Sequence, residues 1–204
     1  MALGTYAELT TAIGTWEERT FTATETDQFI RLTEAKADRK LRQDFRRRTS
    51  ATINTDSSGV GTLPNGFVGM TSLVRDVLGS VPLKQVSWDA LVLRNPYEIG
   101  DDAGVYAING TTLMVAPVTD DDFIAKFSSV LTGLSGAATT NWLLTLAPDF
   151  YLFGCQAAAS AYLKDYATAS ILQGQADAIL DELVSQGNVA EYGNAEMTLD
   201  MVTP

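Results

Sequence analysis

The hydrophobic period of this chain changes twice, and that constrains its fold more than any other feature. Up to about residue 45 the apolar residues recur at helical spacing; from there to about residue 138 they alternate; from about residue 140 helical spacing returns. Alternation lays one face of a strand on a core, and a repeat of about 3.6 residues lays one stripe of a helix on it. The chain is therefore expected to be α+β: a four-helix bundle with an inserted antiparallel β subdomain. The boundaries expected are 1–45 with 139–187 for a discontinuous helical bundle, 46–138 for the β subdomain, and 188–204 for an extended C-terminal tail.

In the first block, Thr5 and Glu8 have the spacing of a capping box and open a short helix through Trp16. Thr24 and Asp27 repeat that spacing with the shorter acid, ahead of a longer helix. At 100° per residue, Phe29, Ile30, Thr33, Ala37, Leu41 and Phe45 fall in one sector of about 160°, a core-facing stripe. Arg31, Ala35, Arg39, Arg42 and Arg46 line the opposite side. In the middle block, "VYAINGTTLMVAP" places Asn109-Gly110 between two short runs of β-formers, a two-residue hairpin turn of type I′. "TSATI" (49–53), "FVGMTSLVRDV" (67–77), "LKQVSW" (83–88) and "FIAKFSSVL" (123–131) read as further strands, five or six in all.

In the last block, Pro148 suits a first helical turn and Asp149 complements its positive end. Residues 150–163 are apolar on nearly every side, which predicts a central helix, and Gly154, Ala157, Ala158, Ala159 and Ala161 let neighbours approach. Trp142, Leu143, Phe150, Leu152, Phe153 and Leu163 are the expected core, with an inert Cys155 beside them. A second helix starts near Ala167 with Leu172, Ala176, Ile179, Leu180 and Leu183 inward, and Gly187 is placed to end it. The tail then ends with Met197, Leu199, Met201 and Val202 alternating with polar residues, a pattern that suits a sheet edge or a groove on a partner. A terminus with no role is the plain alternative.

Chemistry narrows the function. The chain has no histidine, which removes Ser-His and Cys-His nucleophile pairs, histidine general bases and the common zinc sites. No phosphate-cradling glycine loop is present. Asp101-Asp102 and Asp120-Asp121-Asp122 lack the spacing of a calcium loop and read as solvated turns. No catalytic, cofactor or metal residue is expected, and the chain is expected not to be an enzyme; a carboxylate-dependent enzyme is the remaining alternative of that class. "MALGTYAELTTAIGTWEE" has neither a basic leader nor an A-x-A site, so no secretory signal is expected, and no apolar run is long enough for a bilayer.

Six of the fourteen basic residues lie in "RKLRQDFRRR" (39–48), although the net charge is −11. Split after residue 48, the chain carries +1 before and −12 behind. So polarised a subunit sets its basic face on an acidic neighbour, and Arg31, Arg39, Arg42 and Arg46 are the expected subunit-interface or channel residues. The eight Lys/Arg between 31 and 48 also suffice to grip DNA phosphates, and a merely solvated face is the ordinary fate of such a stripe. A DNA-binding protein using this helix is a further alternative, opposed by the overall acidity.

The segments "TYAELTTAIGTW", "FIRLTEAKADRKLR", "LPNGF", "LKQVSWDAL", "GVYAINGTTLMVAP" and above all "TNWLLTLAPDFYLFGCQAAASAYLKD" are a pattern covering about 5–186. In them the chain resembles the tailed-phage head-to-tail adaptors. It departs from that pattern in "SSVLTGLSGAATTNW", a link rich in Gly and Ser, and in having only Phe127 where the preceding strand should carry an aromatic pair. The resemblance implies a structural virion protein of the neck, assembled in the host cytoplasm. It would form a homo-oligomeric ring, usually a dodecamer, docked on the portal, extending the DNA channel and bearing the stopper or tail. Its partners would be itself, the portal, stopper or tail proteins and, transiently, phage DNA, with no membrane. Met197, Leu199, Met201 and Val202 would anchor it on the portal.

Overall fold

Thr5 opens the first helix, α1 (Tyr6–Trp16), of a structure that is a computed structural model describing residues 3–42, 44–93 and 104–192. The Thr5 hydroxyl accepts the Glu8 N–H at 3.3 Å while the Glu8 carboxylate accepts the Thr5 N–H at 3.0 Å. The second helix, α2 (Ala23–Lys40), begins two residues ahead of expectation. Its cap is Thr22, not Thr24, bonded reciprocally to Glu25 at 2.7 and 3.3 Å. Glutamate reaches back across the turn to the cap N–H; the shorter Asp27 instead accepts the Tyr6 hydroxyl of α1. Phe29, Ile30, Thr33, Ala37 and Leu41 are buried, as the stripe requires. Phe45 is not, because α2 stops at Lys40 and Phe45 starts a three-residue 3-10 turn with its ring exposed.

Seven strands follow among the described residues: β1 (Arg48–Asn54), β2 (Val60–Thr62), β3 (Phe67–Arg75), β4 (Lys84–Gln85), β5 (Val105–Asn109), β6 (Thr112–Ala116) and β7 (Asp122–Ser129). One sheet has the order β1-β7-β3 and the other β2-β6-β5-β4. Alternation is plain in β7, where Phe123, Ala125 and Phe127 point inward between Ile53, Leu73 and Leu113. Phe127 finds its aromatic partner across the sheet in Phe67, with ring centroids 5.7 Å apart. Three expectations change here. The hairpin closes one residue later than read: Asn109 pairs with Thr112, so Gly110 and Thr111 are the loop. Only Gly110 has positive φ (+60°), the sign pattern of a type II′ turn with glycine first. "LKQVSW" is strand only at Lys84–Gln85, because Trp88 begins a short helix, α3 (Trp88–Leu93). Finally, β4 runs parallel to β5, so the β region is not wholly antiparallel.

The remaining helices are α4 (Trp142–Leu146), α5 (Pro148–Tyr162) and α6 (Tyr166–Tyr192). Pro148 occupies the first turn of α5, where its missing N–H costs nothing. α5 is the buried helix expected: Phe150, Tyr151, Leu152, Cys155 and Ala159 are fully or almost fully enclosed. Gly154 lets α2 pass, since a Cβ there would stand 2.5 Å from the Thr33 methyl. Trp142, Phe153 and Leu163 are only half-buried. The chain is thus α+β, but among the described residues it has six α-helices and two sheets, and a four-helix bundle is not its description. The contacts divide it into two compact units, one of Met1–Arg46 and Leu131–Pro204, the other of Arg47–Val130.

Gly187 does not end α6. It is buried and continues the inward series Ala176, Leu180, Leu183 by one more step of four. A Cβ on Gly187 would lie 3.0 Å from Asp44 Oδ2, so the glycine serves close approach inside the helix rather than a C-cap. Residues 188–192, expected in the tail, are therefore helical.

Candidate functional site

The basic stretch divides by residue type. Lys36 and Lys40, one turn apart on α2, reach Asp177 (2.5 Å) and Asp181 (2.7 Å), one turn apart on α6. These two ion pairs staple one helix to the other along matching repeats. The arginines are placed differently. Arg31 and Arg39 are exposed on α2 and Arg42 is exposed just beyond it, and none has an ion pair within the described residues. Guanidinium keeps its charge and its fork of donors under all ordinary conditions, so this is a surface built for carboxylate or phosphate.

Arg46 leaves that set. With α2 ended at Lys40, Arg46 lies in the 3-10 turn and folds back onto the molecule. Its Nη1 bonds Asp44 Oδ2 at 3.0 Å, and its guanidinium sits 5.1 Å from the Phe45 ring centre and 5.9 Å from that of Trp142. The Asp44 side chain is only 3% exposed. Arg46 is the partner that makes its burial tolerable.

Sequence reasoning missed a second device on α2. Glu34 and Asp38, four residues apart, accept the backbone N–H groups of Leu134 (2.7 Å) and Leu131 (2.9 Å). Asn141 donates to the Thr132 carbonyl and to the Tyr151 hydroxyl, both at 2.8 Å, and Tyr151 in turn donates to Glu34 at 3.1 Å. The glycine-rich link, expected as part of the β region, is thereby laid along α2. Burial raises the Glu34 carboxyl above the usual glutamate range, against the lowering effect of its bonds from Leu134 and Tyr151. Burial likewise raises the Cys155 thiol to about 12, against the lowering effect of the Thr33 hydroxyl. The signal lies in the spacing of Glu34 and Asp38, one helical turn apart beside the apolar stripe.

Asp101, Asp102, Met197, Leu199, Met201 and Val202 lie outside the described residues. Within them no three His, Cys, Asp or Glu side chains converge as a metal site, and no helix is long and apolar enough to cross a membrane.

Two compact units, an exposed arginine face and polar groups that hold segments together suit a protein that acts by contact. The model of the SU10 adaptor protein family matches residues 4–198, and the chain belongs to that family of phage head-tail adaptors. The family is structural rather than enzymatic and makes the chain a virion component that meets other head-tail proteins. No curated protein matches the chain.

Proposed function

We propose that this adaptor forms a homo-oligomeric ring, a dodecamer, beneath the portal, extending the DNA channel and giving the stopper or tail its platform. Arg31, Arg39 and Arg42 are its ring contact. The observation that carries this reading is the unequal use of charge on α2: its lysines at 36 and 40 are consumed by α6, while these three arginines stand exposed without an ion pair among the described residues. Exposed guanidiniums, on a chain whose remainder is strongly acidic, favour a neighbour's carboxylates and steer its approach. The second reading is transient contact of the same guanidiniums with DNA phosphates in the channel, which their exposure also favours.

Electron microscopy of the purified protein, alone and mixed with portal, tests the ring. Arg39→Glu with Arg42→Glu is expected to leave a folded monomer that no longer assembles. Normal rings from the doubly reversed protein would remove the interface reading, and unchanged genome retention in heads carrying it would remove channel contact as well.

A further inference from the structure

One end of the three-stranded sheet is unlike the rest of the surface. The last residue of β1, the first of β7 and the last of β3 meet there, as Asn54 pairs with Asp122 and Arg75 with Phe123. Beyond β3 the chain makes a loop, 76–82, before Leu83 returns to bond Leu73. The loop is braced: Asp76 N–H donates to Asp122, Val77 to Arg75 and Ser80 to Val77, each within 3.1 Å. Yet it holds three aliphatic side chains in solvent, Val77 at 57%, Val81 at 77% and Leu78 at 104% exposure. Holding such groups outward on a braced loop forgoes the free energy of burying them. Around this apolar tip stand exposed carboxylates, Asp56, Asp76, Asp120 and Asp122. Arg75, at the end of β3, is held by Asp121 at 2.7 Å.

The helical unit carries the reverse. Between α2 and α6 a groove of about 460 Å³ runs over α5, floored by Gly154, Ala157 and Ala161 and edged by Leu32, Lys36 and Arg39. Leu32 is 64% exposed and Arg39 has no ion pair within the described residues. One unit therefore bears an acidic apolar knob and the other a basic apolar groove.

We infer that the loop 76–82 of one copy seats in the α2–α5–α6 groove of the next, with Leu78 on the small-residue floor and Asp76 facing Arg39. The occupant is a second copy because the two surfaces are both apolar, carry opposite charge and belong to the same chain. A contact between two different patches is the kind that repeats head to tail until a ring closes. The inference rests on the ring proposed above and names the surface that meets the arginine face.

The wild-type chain is first imaged alone and on portals, then Leu78→Asp is compared with it. Leu78 is fully exposed, so the variant should keep its circular dichroism and melting point while ring yield falls at least about tenfold, as for a lost interface anchor. Asp76→Arg and Arg39→Asp should each weaken assembly, and the two variants mixed should regain it. Leu78→Cys mixed with Leu32→Cys should give a disulfide between copies on mild oxidation, since the native Cys155 is buried. Wild-type rings with no such disulfide and with normal assembly of Leu78→Asp would overturn the docking but leave the ring. A wild-type chain that never assembles would overturn both.

Discussion

Glu34 is the residue whose chemistry is most tightly set by its surroundings. Its carboxylate accepts from the Leu134 N–H and the Tyr151 hydroxyl, yet burial outweighs both and raises its pKa. A raised value means the folded chain holds that proton more tightly than the unfolded chain does. The associated stability is thus complete below the usual glutamate range and is lost as pH rises through the raised value. Glu34→Gln keeps an acceptor for Leu134 without the buried charge. Urea unfolding across pH 4–8 should show the wild type losing stability relative to this variant as pH rises through that window (an interval of about 4 units). A difference that stays flat with pH would mean the carboxyl is solvated. Cys155 gives a second residue-scale expectation. Fully buried, with its thiol raised to about 12, it should be alkylated by iodoacetamide at neutral pH only as fast as the chain unfolds.

At the scale of the element, two glycines of α6 separate conformational cost from packing. Gly174 has open space where a Cβ would go, so Gly174→Ala should stabilise the protein by about 0.5–1 kcal/mol. Gly187 faces an Asp44 that Arg46 holds from both its side chain and its backbone. Gly187→Leu should therefore cost about 1–3 kcal/mol in the same thermal or urea melts. The same glycine marks what the sequence could and could not convey. Helix stripes and strand alternation were legible because burial itself writes the period, as in Phe29 to Leu41 and Phe123 to Phe127. Element ends were not, because a competing contact decides each one. Thr22 displaced Thr24 through the longer reach of Glu25, and Gly187 stayed helical because it continued the buried series. At the candidate site, the exposed positions of Arg31, Arg39 and Arg42 could be read from helical spacing. The capture of Lys36 and Lys40 could not, since it depends on Asp177 and Asp181, distant in sequence, and that of Arg46 by Asp44 follows from α2 ending at Lys40.

At the scale of the whole molecule, the terminal segment and the inserted unit each carry an expectation. Met197, Leu199, Met201 and Val202 remain our proposed portal anchor, and α6 running to Tyr192 moves the place to cut. Deleting 193–204 should leave the melting point unchanged while weakening capture on immobilised portal, and full capture would remove the anchor. The second expectation comes from the pairing of Arg48 with Ser128, next to where the chain enters and leaves the β unit. Paired residues of adjacent antiparallel strands stand only about 4.5–5.5 Å apart. Residues 47–130 are in this sense a cassette, with plug and socket side by side. Joining residues 46 and 131 through a short Gly-Ser bridge should leave a helical protein that still melts cooperatively by circular dichroism. Exchanging the cassette would leave the helical core in place but carry the 76–82 loop away with it, so the groove proposed to receive that loop would have to change in step.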